Sequence, residues 1–303
     1  MYQDHNYAAI LASASRAAWQ IEDILPETAA LDFSCNFLPE NLARTAAITG
    51  FSDSEKRVLN QIRGHEYLGI FGLVEEFILP FVLDHARAQL NGEDARVRAL
   101  LNFAGEEAKH IDLFKRFHQR FTDSFGTPCA VIGPPEAVAA EVLRHDPLSV
   151  ALVILHIEWM TQRHYLDSVR DNGALDPLFK SLLKHHWIEE ASHARLDQLM
   201  VEALADGRDE AGIQSAIDEY LEIGMFLDNG LSTQVGFNLD AFEQATGRKL
   251  AEPERQHLHA QQHQALRWTY LGSGMSHPQF VATLEKMSPK AAERIAEVAP
   301  VFS

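Results

Sequence analysis

Two cysteines, Cys35 and Cys129, stand in 303 residues. That excludes a disulfide-braced scaffold, leaves no thiolate cluster for an iron–sulfur or zinc–thiolate site, and fits a reducing cytoplasm. Long apolar runs are missing as well. The most apolar stretch, 150–157, contains His156 and is too short to span a bilayer, so no membrane partner is expected. The N-terminal residues show no basic segment followed by an apolar core, and no secretory leader is expected. Positive charge is scarce: 26 basic against 43 acidic residues give a net charge of −17, which argues against nucleic acid as a partner. No alternating β-branched run and no glycine-rich nucleotide fingerprint is visible.

What remains is helix. The hydrophobic content of 46% is enough for a sizeable core. Apolar periodicity predicts helices over 53–90, 93–122, 135–144, 147–171, 175–205, 209–228, 233–246, 251–272 and 288–298. Ser52 or Asp53, followed by Glu55, supplies a start signal for the first. Asn91-Gly92 and Asp171-Asn172-Gly173 permit tight returns, whereas Thr127-Pro128 and Gly133-Pro134-Pro135 break the chain in a longer connection over about 123–146. Two helix hairpins joined by one long crossover make a ferritin-like four-helix bundle. The expected fold is therefore all-α: one domain over 1–303, with a bundle core at about 53–205, an N-terminal wrap, and a C-terminal helical extension over about 209–303.

Within that frame two Glu-x-x-His motifs recur, Glu107-Ala108-Lys109-His110 and Glu190-Ala191-Ser192-His193. Each follows a helix carrying a glutamate in apolar surroundings, Glu75-Glu76 before the first and Glu158 before the second. Residues three apart on a helix share a face, so a Glu and a His at that spacing reach one centre. Two such helices facing two glutamate-bearing helices form a carboxylate-bridged dimetal site. Mixed oxygen and imidazole ligation suits iron or manganese. Helix phase places Glu107 inward better than Glu106. It does not choose between Glu189 and Glu190, for which the spacing to His193 favours Glu190. Taking Arg63, Glu66, Asp84 and Arg87 as the solvated side of the first helix puts Glu75 inward and Glu76 to one side; both stay open as the first ligand.

His186 adds a third imidazole, four residues before Glu190. The pattern Glu107, His110, Glu158, His186, Glu190, His193, with Glu75 or Glu76 as the seventh member, resembles the p-aminobenzoate N-oxygenase family. The resemblance runs over roughly 30–205 and includes Phe37-Leu38-Pro39-Glu40-Asn41-Leu42-Ala43 and the approach to the first long helix from Gly50. It implies a metal site with those seven side chains as ligands, two iron ions (or manganese), dioxygen as co-substrate, and oxidation of a small organic molecule such as an amine. Electrons would come from an external donor, and a homodimer is left open. The rival reading is a ferritin-like storage protein with no organic substrate; the extension after the bundle and the third histidine speak against it.

Less specific features read as follows. Phe71, Phe103, Phe114 and Tyr165 could line a pocket beside the metals. Thr161, one turn after Glu158, reads as packing. His257, His259 and His263 read as a solvated helix face. The stretch Tyr67–Val74 carries no Arg or Lys, so a cation clamping a substrate carboxylate would have to come from another helix.

Overall fold

The computed structural model describes residues 7–92 and 94–303. Thirteen α-helices follow one another among them. Three short ones, α1 (Tyr7–Ala17), α2 (Ile21–Ile24) and α3 (Glu40–Ala43), belong to the N-terminal wrap. Then come α4 (Asp53–Ala88), α5 (Asp94–Phe125), α6 (Pro135–Leu143), α7 (Pro147–His164) and α8 (Pro177–Ala205). The extension comprises α9 (Glu210–Thr246), α10 (Glu252–Arg267), α11 (Ser273–Met275), α12 (Pro278–Met287) and α13 (Pro289–Val298). Among the described residues no strand forms, and one isolated bridge pairs Asn36 with Leu175.

The bundle is the ferritin-like one: α4 packs on α5, α7 on α8, and residues 126–146 cross between the hairpins. The helix starts are built from local signals. Ser52 accepts the Glu55 amide while the Glu55 carboxylate accepts the Ser52 amide, a reciprocal cap for α4. In α7 and α8 an Asp-Pro pair does this work. Asp146 and Asp176 accept the amides of Leu148 and Phe179, and the proline after each needs no partner for a missing N–H. Asp176 also accepts the Asp32 amide at 2.8 Å, and Asn60 of α4 bonds the backbone of Phe37 and Leu38. These two buried side chains tie the wrap onto both hairpins.

Several boundaries differ from expectation. The helices foreseen over 209–228 and 233–246 are one, since Asn229-Gly230 sits inside α9 without breaking it. Residues Tyr165–Val169 and Trp268–Gly272 continue α7 and α10 as π-helical turns. Helix α1 in the wrap and α12 in the extension went unread. The extension lies close against the bundle: at Gly274 of α11 a Cβ would stand 1.9 Å from the His156 ring of α7, so only glycine fits.

The solvated side assigned to the first bundle helix needs correction. Asp84 and Arg87 are exposed, but Arg63 and Glu66 are fully buried and paired at 2.7 Å. Gln262, Asn238 and Tyr270 complete the network around them, because α9 and α10 cover this face of α4. Charge on a helix marked solvent at one end of α4 and an internal seam at the other. The histidines of α10 divide likewise. His257 is exposed, whereas His259 and His263 turn to α9, where they bond the Ser232 carbonyl and Asp228.

Removing one partner of a buried pair strands the other charge. Arg63→Ala is therefore expected to cost about 3–5 kcal/mol in chemical denaturation. A loss below about 1 kcal/mol, the value of an exposed pair, would show that the seam is not structural.

Candidate metal centre

The seven expected side chains lie on the four bundle helices, and six of them converge in two overlapping groups. Glu75, His110, His186 and Glu190 form one group, and Glu107, His110, Glu190 and His193 the other; within each, the candidate ligand atoms lie within 4.8 Å of one another. All six are buried, at 2% exposure or less. Of the two candidates on α4, Glu75 points inward, while Glu76 faces outward and pairs with Lys115 at 3.0 Å. Glu158 is equally buried and adjoins Glu190, although it falls in neither tight group.

The distances describe two lobes sharing Glu190. In one, Glu75 Oε1 lies 3.1 Å from His186 Nε2, which is itself 2.7 Å from Glu190 Oε1. In the other, His193 Nδ1 lies 2.9 Å from Glu107 Oε1 and 3.0 Å from Glu190 Oε2. His110 Nδ1 stands between them, 3.1 Å from Glu190 Oε1. Several of these atoms are close without the alignment of a hydrogen bond. Both oxygens of Glu107, one each of Glu75, Glu158 and Glu190, and His110 Nδ1 have no hydrogen-bond partner. Buried polar atoms are nearly always satisfied, so lone pairs aimed at common points fit two cations. Charge agrees: four carboxylates balance two divalent ions, and the donor set of oxygen and imidazole is the one iron and manganese accept.

The doubled glutamates resolve in an unexpected way. Helix phase favours Glu107 over Glu106, and the three-residue spacing to His193 favours Glu190 over Glu189. The structure employs all four. Glu106 of α5 accepts from His193 Nε2 of α8 at 2.9 Å, and Glu189 of α8 accepts from His110 Nε2 of α5 at 2.8 Å. The exchange is reciprocal across the two helices. It fixes each ring so that Nδ1 faces the centre, and it would raise the basicity of that nitrogen toward a bound cation. Lys109 then neutralises Glu189 at 2.5 Å and lies 3.8 Å over the Trp19 ring, which stacks on His110. The wrap thus closes this side of the site. The signal was in the sequence, as Glu-Glu-x-x-His twice.

Asp197, one turn beyond His193, was missed altogether. It is fully buried, and neither carboxylate oxygen has a hydrogen-bond partner. Burial, with Glu107 and Glu190 nearby, pushes its carboxyl well above the usual range against the pull of His193. Glu158 is raised in the same way by burial and by Glu190, and Glu75 goes up to about 8 through burial and Glu107. Burial alone would lower His110 and His193, but the surrounding carboxylates outweigh it and hold both well above the ordinary histidine value.

Among the aromatics, Phe103 packs on the His193 ring at 4.1 Å, and Phe71 and Phe114 meet His186 edge-on at 5.3 and 5.0 Å. Tyr165 instead stacks on Trp187. Thr161 donates its hydroxyl to the Ile157 carbonyl in its own helix. No helix among the described residues is long and apolar enough to cross a membrane.

A buried site of this composition in a ferritin-like bundle fits a dinuclear oxygenase or oxidase. The sequence model of "P-aminobenzoate N-oxygenase AurF" matches residues 10–266, and the chain belongs to that family. It is accordingly an oxidoreductase acting on a small molecule with a dimetal cofactor and dioxygen, and the storage alternative is not favoured. No curated protein sequence matches the chain. Solved structures similar to it include two R2-like ligand-binding oxidases, one with an anaerobically reconstituted Mn/Fe cofactor and one with an aerobically reconstituted Fe/Fe cofactor. They share 16% and 15% identity, each aligning over 86% of this chain and 91% of its own, with a TM-score of 0.47.

Cations and protons compete for these side chains. Loading the metal-free protein at pH 7 should release protons, and apparent affinity should fall as pH drops, since Glu75, Glu158, His110 and His193 all hold protons more tightly than usual. Calorimetry in buffers of different ionisation enthalpy reads the release. Glu106→Ala or Glu189→Ala should weaken metal binding about 10–100-fold while sparing the fold; unchanged binding would mean the outer carboxylates do not orient the imidazoles.

Proposed function

We propose that the chain is a diiron N-oxygenase, with Glu75, Glu107, His110, Glu158, His186, Glu190 and His193 holding the two ions. The observation that carries the reading is His186. It brings a third imidazole to one lobe, 2.7 Å from the shared Glu190, and lies against the two phenylalanines. A neutral imidazole adds donor strength without adding charge. Iron held by these side chains would relay two electrons from the donor to dioxygen. The balanced conversion is R–NH2 + O2 + 2 e− + 2 H+ → R–NHOH + H2O.

The protein's own groups have separable tasks. Glu106 and Glu189 hold the protons on His193 Nε2 and His110 Nε2, keeping the opposite ring nitrogens free to ligate. Trp19 and Phe103 exclude water from those two rings. Glu190, between His186 and His193, bridges the lobes. The electrons come from an external donor, in keeping with the lack of a nucleotide fingerprint. We place the enzyme in the cytoplasm, consistent with its two free cysteines, and leave a homodimer as its candidate assembly. The extension is taken as part of one unit with the bundle, a reading supported by the buried contacts of Arg63 and Glu66 with Gln262, Asn238 and Tyr270.

Elemental analysis should find about two transition-metal ions per chain, and Glu107→Ala or Glu190→Ala should lower the content of both. His186→Ala should keep the fold and most of the metal but change the rate at which the reduced protein reacts with dioxygen in stopped-flow absorption. Identical kinetics would demote His186 to packing, and uptake of many irons per chain would revive storage.

A further inference from the structure

A cavity of about 970 Å3 opens beside the His186 edge of the site. That is the top of the roughly 300–1,000 Å3 range that takes drug-sized ligands. Phe71 and Phe114 link it to the centre, since both line it and both touch His186. Ile157, next to Glu158, and Val74, next to Glu75, line it as well. The opposite wall comes from residues 131–138 of the crossover and residues 226–237 of α9.

Charge in the lining is confined to α4 and α5. Its charged or titratable side chains other than Tyr270 are Glu76, Lys115 and His118. Lys115 is 67% exposed, which puts it at the mouth, and Glu76 already engages it. The His118 ring lies against that of His65 at 4.1 Å, tilted by 41°, and burial lowers its pKa, which favours the neutral form. The Tyr270 hydroxyl is spent on Glu66. The inner walls therefore offer an occupant apolar contact and no counter-charge. An alkylammonium would lose its hydration there uncompensated, as would a carboxylate placed deep. An aryl amine is uncharged at neutral pH and escapes that penalty. Size narrows the class further. At about 30 Å3 per heavy atom, the share of one water in the liquid, p-aminobenzoate with its roughly ten heavy atoms fills about 300 Å3 and leaves most of the space open.

We propose that this cavity selects a neutral aryl amine bearing a large apolar substituent, with the amine toward Phe71, Phe114 and His186 and any charged group at the Lys115 mouth. The inference rests on the amine-oxidising reading and specifies its substrate class. Gly72 provides the handle. A Cβ there meets only the Phe114 Cβ at 3.9 Å, an ordinary contact, so a larger side chain would grow into the cavity without striking backbone. Leucine also favours helix over glycine, so Gly72→Leu should fold.

The test uses metal-loaded protein without reductant, and equilibrium dialysis against aniline, 4-butylaniline, 4-octylaniline and p-aminobenzoate. Each buried methylene should tighten binding about fourfold, so 4-octylaniline should bind at least 100-fold better than aniline or p-aminobenzoate. Gly72→Leu should weaken 4-octylaniline at least tenfold and leave aniline unchanged, while Gly105→Leu, on the exposed face of α5 with open space around it, should change neither. Flat affinity along the series, or indifference to Gly72→Leu with a retained melting temperature, would overturn the proposal. Mass spectrometry after adding reductant and dioxygen separates the two readings. Tight binding of 4-octylaniline without an N-oxidised product would sink the amine-oxidising function and leave the cavity's preference standing. Oxidation of p-aminobenzoate with no gain from the octyl chain would do the reverse.

Discussion

Four carboxylates buried in one helical core are the constraint on which the rest of this structure depends. Glu75, Glu107, Glu158 and Glu190 sit at 2% exposure or less, where ionised groups are costly unless paired. Three imidazoles share the space, yet both oxygens of Glu107, one each of Glu75, Glu158 and Glu190, and His110 Nδ1 are left without a hydrogen-bond partner. Two divalent cations resolve the conflict. The surrounding arrangements then follow: outer carboxylates that orient the imidazoles, a lysine that neutralises one of them, and a tryptophan from the wrap that closes the side.

The scaffold meets the demand for rigidity by local means and by coverage. Asp-Pro pairs set the starts of α7 and α8, and a reciprocal cap sets that of α4. The extension encloses the far side of α4 around Arg63 and Glu66. On the remaining flank the packing is deliberately incomplete. An apolar cavity reaches the His186 edge, where an organic molecule can approach the centre.

Much of this was legible in the residues. The hairpin order, the long crossover and the convergence of Glu107, His110, Glu190 and His193 follow from three-residue spacing and turn chemistry. The buried position of Glu75 was also foreseen, but partly for a wrong reason, since Arg63 and Glu66 were read as solvated. Helical phase reveals which residues share a face, not what a distant helix lays over that face. The same limit hid the turn of His259 and His263 toward α9. Glu106 and Glu189 stand plainly in the sequence, but spacing and phase select one of two neighbouring glutamates, whereas the site uses both. Asp197 gave no motif at all. The π-helical turns after α7 and α10 lie beyond the reach of a 3.6-residue period.

If these side chains hold two ions at one place, the ions should be visible there. Anomalous scattering at the iron edge from crystals of iron-loaded protein measures this directly. Two peaks about 3.5–4 Å apart, bridged by Glu190 and flanked by His110, His186 and His193, are the predicted result. A single peak, or iron bound away from α4, α5, α7 and α8, would show that these residues do not form a dimetal site.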